Sequence, residues 1–167
     1  MFIETSLENI AAAAAEKEEE NDLFREFLKS QDSGETDIVA HRLNREIEPQ
    51  IDCTQCGNCC KSLMITVTSE DCAVLAPELQ LTTEQFKEKY TVAGLSGNLV
   101  ISNVPCHFLE GTKCTVYKHR FSDCRNFPGI HHPHFASRSF SMLMHYGRCP
   151  IVYNVWEQLK IETGFVA

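Results

Sequence analysis

Four of the chain's nine cysteines fall in one short run, Cys53-Thr54-Gln55-Cys56-Gly57-Asn58-Cys59-Cys60. Two residues between Cys53 and Cys56 let both sulfurs reach one ion. The glycine that follows permits a positive-φ turn that points backbone N–H groups at sulfur. Knuckles of this form serve zinc and iron alike. Cys59 and Cys60 are neighbours whose side chains point in different directions, so the four thiols cannot easily share one ion, and other segments must complete the ligation. Cys106, Cys114, Cys124 and Cys149 are the candidates, each beside a turn or a backbone-restricting residue: Pro105, Gly111, Pro128 and Pro150 respectively. Eight thiolates match two four-coordinate ions, two clusters, or one cluster with one zinc. A set of inert buried thiols explains a single cysteine well and eight of them poorly.

The other residues with metal chemistry carry weaker patterns. Cys72 lies inside an expected helix, far in sequence from any partner, and reads as a core position. His131-His132-Pro133-His134 could donate an imidazole to zinc or iron, but with eight thiols present a solvated loop is the simpler account. Arg120 and Arg125 bracket Cys124. A guanidinium there would offset the residual negative charge of a four-thiolate site and hydrogen-bond to sulfur. An ordinary surface salt bridge is the competing explanation.

The elements that must position these residues are short. Thr5-Ser6-Leu7-Glu8 has the form of a capping box that opens a helix; Ile3, Leu7, Ile10 and Ala14 fall on one face, followed by the acidic segment Glu16–Asp22 and a second apolar patch at Leu23, Phe24, Phe27 and Leu28. Gln31-Asp32-Ser33-Gly34 ends this helix, and another is expected from about Asp37 to Glu48, stopped by Pro49. Leu63–Val67 and Leu99–Ile101 are expected strands. Ser69 opens a helix that should end before Pro77, and Thr83 opens one through Tyr90. Glu110-Gly111-Thr112-Lys113 predicts a tight turn that returns Cys114 towards Cys106. Ser139–Met144 is a further expected strand, and Pro150–Glu162 a helix with Val152, Val155, Trp156 and Leu159 on one stripe. The expected class is α+β: a small, irregular, metal-stabilised domain with short strands and helices, preceded by a helical N-terminal arm.

Charge divides the chain. Residues 1–50 hold thirteen acidic and five basic side chains, and so carry the whole net charge of −8. This places a boundary near residue 50, with an acidic helical arm at 1–50 and a cysteine-cluster domain at 51–167. The arm is either a surface helix packed on the domain or a docking element, with a protein partner or self-association through residues 1–30. No clustered Lys and Arg offers a footprint for a phosphate backbone, so nucleic acid is not an expected partner. No stretch approaches the ~20 apolar residues of a membrane span. The first residues lack the basic n-region and apolar core of an export signal. The expected compartment is therefore the reducing cytoplasm, where paired cysteines indicate metal or redox chemistry rather than disulfides.

These residues resemble the CxxCxxCC family, the YkgJ-type cysteine-cluster proteins described as a zinc- or iron-chelating domain. The resemblance runs through Cys53–Cys60, Pro105-Cys106-His107-Phe108-Leu109-Glu110, Lys113-Cys114-Thr115-Val116-Tyr117, Arg120 and Cys124-Arg125-Asn126-Phe127-Pro128, and covers about residues 50–150. The family's eight-cysteine pattern falls on Cys53, Cys56, Cys59, Cys60, Cys106, Cys114, Cys124 and Cys149. Phe121 departs from it, standing where the family usually has proline. The family includes flagellin lysine N-methylases in which the cysteine domain is linked with an iron–sulfur cluster. That resemblance favours a [4Fe–4S]-type cluster over Zn2+ as the cofactor. It does not imply methyl transfer here, because no G-x-G-x-x-G follows a strand and no room is left for a nucleotide fold.

Three functions follow as expectations. The first is a metal- or cluster-binding protein acting in electron transfer, metal handling or assembly with a partner. The second is an enzyme or enzyme subunit using an incompletely ligated cluster, with Tyr117, His119 and the His131–His134 loop nearby. The third is a structural zinc domain with a docking arm. No catalytic grouping of Ser, His and Asp, no carboxylate pair and no phosphate loop is visible, so the first is favoured.

Overall fold

The computed structural model describes residues 2–167; Met1, the first residue of the expected arm, lies outside them. The chain is mixed α+β, largely helical with a few short antiparallel strands and a helical N-terminal region. It divides into two compact units, one of residues 53–127 and one of residues 1–52 with 128–167. The first edge falls close to the charge boundary near residue 50. The second gathers the C-terminal forty residues with the N-terminal helices.

In chain order the N-terminal helices are α1 (Leu7–Glu16), α2 (Glu18–Ser30) and α3 (Ser33–Ile47). Ser6 caps α1 by accepting from the Asn9 amide, one residue later than the Thr5–Glu8 box expected from sequence. The single helix expected through Leu28 is broken at Lys17, whose backbone leaves helical geometry. Asp32 accepts from the Gly34 and Glu35 amides and starts α3 earlier than the expected Asp37.

Residues 53–127 open with α4 (Cys53–Cys56) and α5 (Asn58–Ser62), then run through β1 (Thr66–Val67), α6 (Ser69–Glu78) and α7 (Thr83–Tyr90). Next come β2 (Thr91–Ala93), β3 (Leu99–Ile101), β4 (Leu109–Glu110), β5 (Lys113–Cys114) and α8 (Ser122–Asn126). The strands make an antiparallel sheet in the order β1-β3-β2 and a hairpin β4-β5. Here α6 passes through Pro77, contrary to the expected stop, because at the last turn proline forfeits only one helical donor. Capping boxes at Thr68/Asp71 and Thr82/Gln85 start α6 and α7. Leu75, Phe86, Ile101, Phe108 and Phe121 form the core with Cys72, which is fully buried as the sequence implied.

The chain ends with α9 (Ser139–Tyr146) and α10 (Pro150–Glu162). The strand expected at Ser139–Met144 is thus a helix. Its buried residues are Ser139, Met142 and Tyr146, a helical spacing, and Met and Leu are stronger helix than strand formers. The α10 stripe of Val152, Val155, Trp156 and Leu159 is buried as expected. Trp156 meets Phe24 edge-on at 5.2 Å and donates its indole N–H to the buried Asn21 at 2.9 Å. Beside it, the nearly buried Lys160 lies between Glu20 (2.6 Å) and Glu157 (2.8 Å), and the Tyr146 hydroxyl donates to Glu157. No helix among the described residues is long and apolar enough to cross a membrane.

Candidate metal centre

The cysteine run folds as two short helical turns hinged at Gly57, whose φ is 60°. The hinge does more than turn the chain. A Cβ on Gly57 would stand 2.7 Å from the Thr112 carbonyl oxygen and 2.9 Å from its Cα. The run therefore packs backbone to backbone on the β4–β5 turn. That turn, with Gly111 at φ 64°, pairs Leu109 with Cys114 and Glu110 with Lys113, as the turn expected at 110–113 requires. The Cys106 amide donates to the Cys60 carbonyl at 2.8 Å, which fastens the segment bearing Cys106 to the run.

The helix α8 delivers Cys124, and two carboxylates fix its position. Asp71 is almost fully buried; it accepts from the Ser122 amide (2.8 Å) and hydroxyl (2.9 Å) while capping α6 through the Thr68 amide. Asp123 accepts from the Thr66 amide of β1 at 2.9 Å. Neither aspartate was singled out by sequence reasoning. The Thr68-x-x-Asp71 box was the available signal for one of them. Phe121, at the proline position, has φ −50° and ψ 149°, values that proline itself adopts. The local turn is therefore the one a proline would make, while the phenyl ring is used in the core.

Five thiols of this unit act on one another's ionisation. Cys59 and Cys60 sulfurs are 4.0 Å apart. The Cys60 hydrogen bond, opposed by burial and aided by backbone N–H groups, lowers Cys59 to about 7, and Cys60 in turn is driven far upward. Burial pushes Cys124 up to about 12, with further contributions from Cys59, Cys106 and Cys114. Burial also raises Cys106 and Cys114, partly offset by amide N–H groups of Phe108 and Val116 directed at the two sulfurs. Each of these N–H groups comes from the second residue after its cysteine. Arg120 stacks on Tyr117 at 4.2 Å and lowers Cys114 by its charge.

The remaining candidates fall elsewhere or serve other contacts. Cys53 and Cys56 bound the first turn of the run, Cys53 exposed and Cys56 partly so. Cys149 is buried in the helical unit and is the residue preceding α10. Arg125 approaches the Asp71 carboxylate at 3.9 Å. His119 faces Glu78 at 3.7 Å, and His107 meets the Ser102 hydroxyl at 2.8 Å. The His131–His134 loop belongs to the helical unit, where Asp37 accepts from the amides of His134 and Phe135.

Thiol pKa values raised by burial and by neighbouring thiolates describe a site in which multiple deprotonation is costly until a cation compensates it. Partly buried sulfurs, backbone N–H donors and a nearby guanidinium are surroundings that suit four-thiolate zinc and iron sites. The donor set therefore fits either metal. Among the described residues no three Cys, His, Asp or Glu side chains are closed into a ready ligand shell.

A family model, CxxCxxCC, described as "Putative zinc- or iron-chelating domain", matches residues 52–149. No curated protein and no solved structure matches the chain.

Proposed function

Because the chain belongs to the CxxCxxCC family of putative zinc- or iron-chelating domains, we propose that it is a metal-binding protein whose cysteines hold an iron–sulfur cluster of the [4Fe–4S] type, serving electron transfer, metal handling or assembly with a partner in the cytoplasm. One observation supports this reading: Cys59, Cys60, Cys106, Cys114 and Cys124, from separate segments of one unit, perturb one another's ionisation. Cys53 and Cys56 would extend the ligand set from the same run, while Cys149, the eighth cysteine of the family pattern, lies in the helical unit. Arg120 would offset anionic charge beside Cys114. A cluster held by such thiolates supplies one-electron transfer, with a potential set by charge, N–H···S bonds and exposure.

A second reading, structural zinc, is favoured by the size of the cysteine unit. Residues 53–127 fall in the range of roughly 70–80 residues where a core alone stabilises weakly and a metal commonly completes it. Anaerobic purification with metal and sulfide analysis separates the two. The cluster reading expects brown protein with violet–blue charge-transfer absorbance and matching iron and sulfide. Colourless protein with stoichiometric zinc and no sulfide would overturn it in favour of zinc.

A further inference from the structure

A shallow, open groove of about 600 Å³ lies where α1 meets α2. Its rim is anionic: Glu16, Glu18, Glu19, Asp22 and Glu26 line it, against the single cation Arg25. Its apolar lining comes from Ala15 and from Leu23, a large aliphatic side chain left half-exposed while its neighbour Phe24 is buried. On α2, Leu23 is one turn from Glu19 and from Glu26, so the carboxylates surround it.

The apolar surface continues onto α9. The Arg25 guanidinium lies over the Phe140 ring at 5.3 Å, and Gly147, just beyond α9, is so close to Ala14 that a Cβ there would stand 2.8 Å from the alanine methyl. The helix α9 therefore runs past the groove from its Arg25 side to its α1 side. Phe140 and Met144, one turn apart on α9, are both more than half exposed. Single exposed apolar residues are unremarkable, but three large ones beside one anionic groove make an unpartnered face.

We propose that this face docks a cationic amphipathic helix of a partner protein, with apolar residues on Leu23, Phe140 and Met144 and Lys or Arg side chains over the carboxylate rim. Charge complementarity selects this occupant. A second copy of the chain would place two such anionic rims against each other and be repelled. The arrangement is helix-in-groove recognition, in which apolar anchors give affinity and the charged rim gives orientation and rate. It is independent of which metal the cysteines hold.

The test uses the full, metal-loaded chain and a fluorescein-labelled Leu/Lys peptide of about 18 residues in amphipathic order, five helical turns long. Its control is the same composition in an order that destroys the amphipathic period. The ordered peptide should bind at least about tenfold more tightly than the scrambled one, as expected for one well-buried leucine. The charge-neutral variants Leu23→Ser and Met144→Ser should each weaken it severalfold. The triple variant Glu19→Lys, Asp22→Lys, Glu26→Lys should abolish it. All five positions are solvent-facing, and circular dichroism will verify that the variants fold. Equal binding of ordered and scrambled peptides, or no response to either serine variant, would reduce the face to non-specific charge and overturn the proposal. So would a concentration-dependent dimer that Leu23→Ser dissociates.

Discussion

Two demands on the backbone coincide at Gly57. Its φ of 60° is a region that a Cβ disfavours by about 1–2 kcal/mol, and the added methyl would collide with backbone atoms of Thr112 that cannot rotate away. Gly57→Ala should therefore cost at least about 2 kcal/mol and separate the cysteine run from the hairpin that bears Cys114. The expected result is a metal-to-protein ratio well below that of wild type after identical purification, with a lowered Tm. Asp71 is the comparable residue for the helix that bears Cys124. Asp71→Ala strips acceptors from the Thr68 amide and from both Ser122 donors, which should cost about 2–4 kcal/mol in total. Metal content should fall although no thiol is touched. The cysteines were legible in the sequence because their chemistry lies in residue type and spacing. The role of Asp71 was not, because its partner Ser122 lies far along the chain and only the fold brings them together. Similarly, Arg125 could be placed beside Cys124 by sequence, but its approach to Asp71 depends on how α6 meets α8.

At the scale of elements, local signals were legible where they decide the structure alone. The hairpin turn at 110–113, the Thr82-capped helix α7 and the apolar stripe of α10 are all set by neighbouring residues. The expected strand at Ser139–Met144 failed because its alternation of Ser and Phe at the start imitates a strand, while burial of Ser139, Met142 and Tyr146 in the helical unit requires a helix. The turn before α8 offers a sharp test. Arg120 (φ −55°, ψ 149°) and Phe121 (φ −50°, ψ 149°) already hold the dihedrals of a residue before proline and of proline itself. Removing the phenyl ring from its contacts with Phe86 and Phe108 should cost about 3–5 kcal/mol. Phe121→Pro should nevertheless be more stable than Phe121→Ala by about 0.5–1 kcal/mol, because it restricts the unfolded chain without straining the fold. Denaturant midpoints of the two variants give the order, and the reverse order would show that the turn does not accept proline.

For the whole molecule, the two units differ in what holds them. Of the largest fully buried side chains, Trp156, Tyr146, Phe24, Phe135, Ile10, Leu28, Leu43 and Ile47 belong to the helical unit, and only Phe86, Phe121, Leu75 and Ile101 to the cysteine unit. Chelation should therefore raise hydrogen exchange across 53–127 while leaving the fluorescence of Trp156, the only tryptophan, unchanged. The helical unit has its own weak point in acid. Burial alone would raise the Glu157 carboxyl, but hydrogen bonds from Lys160 and Lys17, with their charges, hold it below its ordinary 4.5. Its folded pKa lies beneath its unfolded one, so its contribution is complete above the unfolded value and disappears as pH falls through the folded value. The helical unit should accordingly lose stability below about pH 4.5. Glu157→Gln leaves Lys160 buried with Glu20 as its one carboxylate partner, which should cost about 3 kcal/mol at pH 7. The variant should also flatten the acid decline. Urea titrations of Trp156 fluorescence at pH 7 and pH 3 measure both effects; a variant as stable as wild type at pH 7, or an unchanged acid slope, would remove Glu157 as their source.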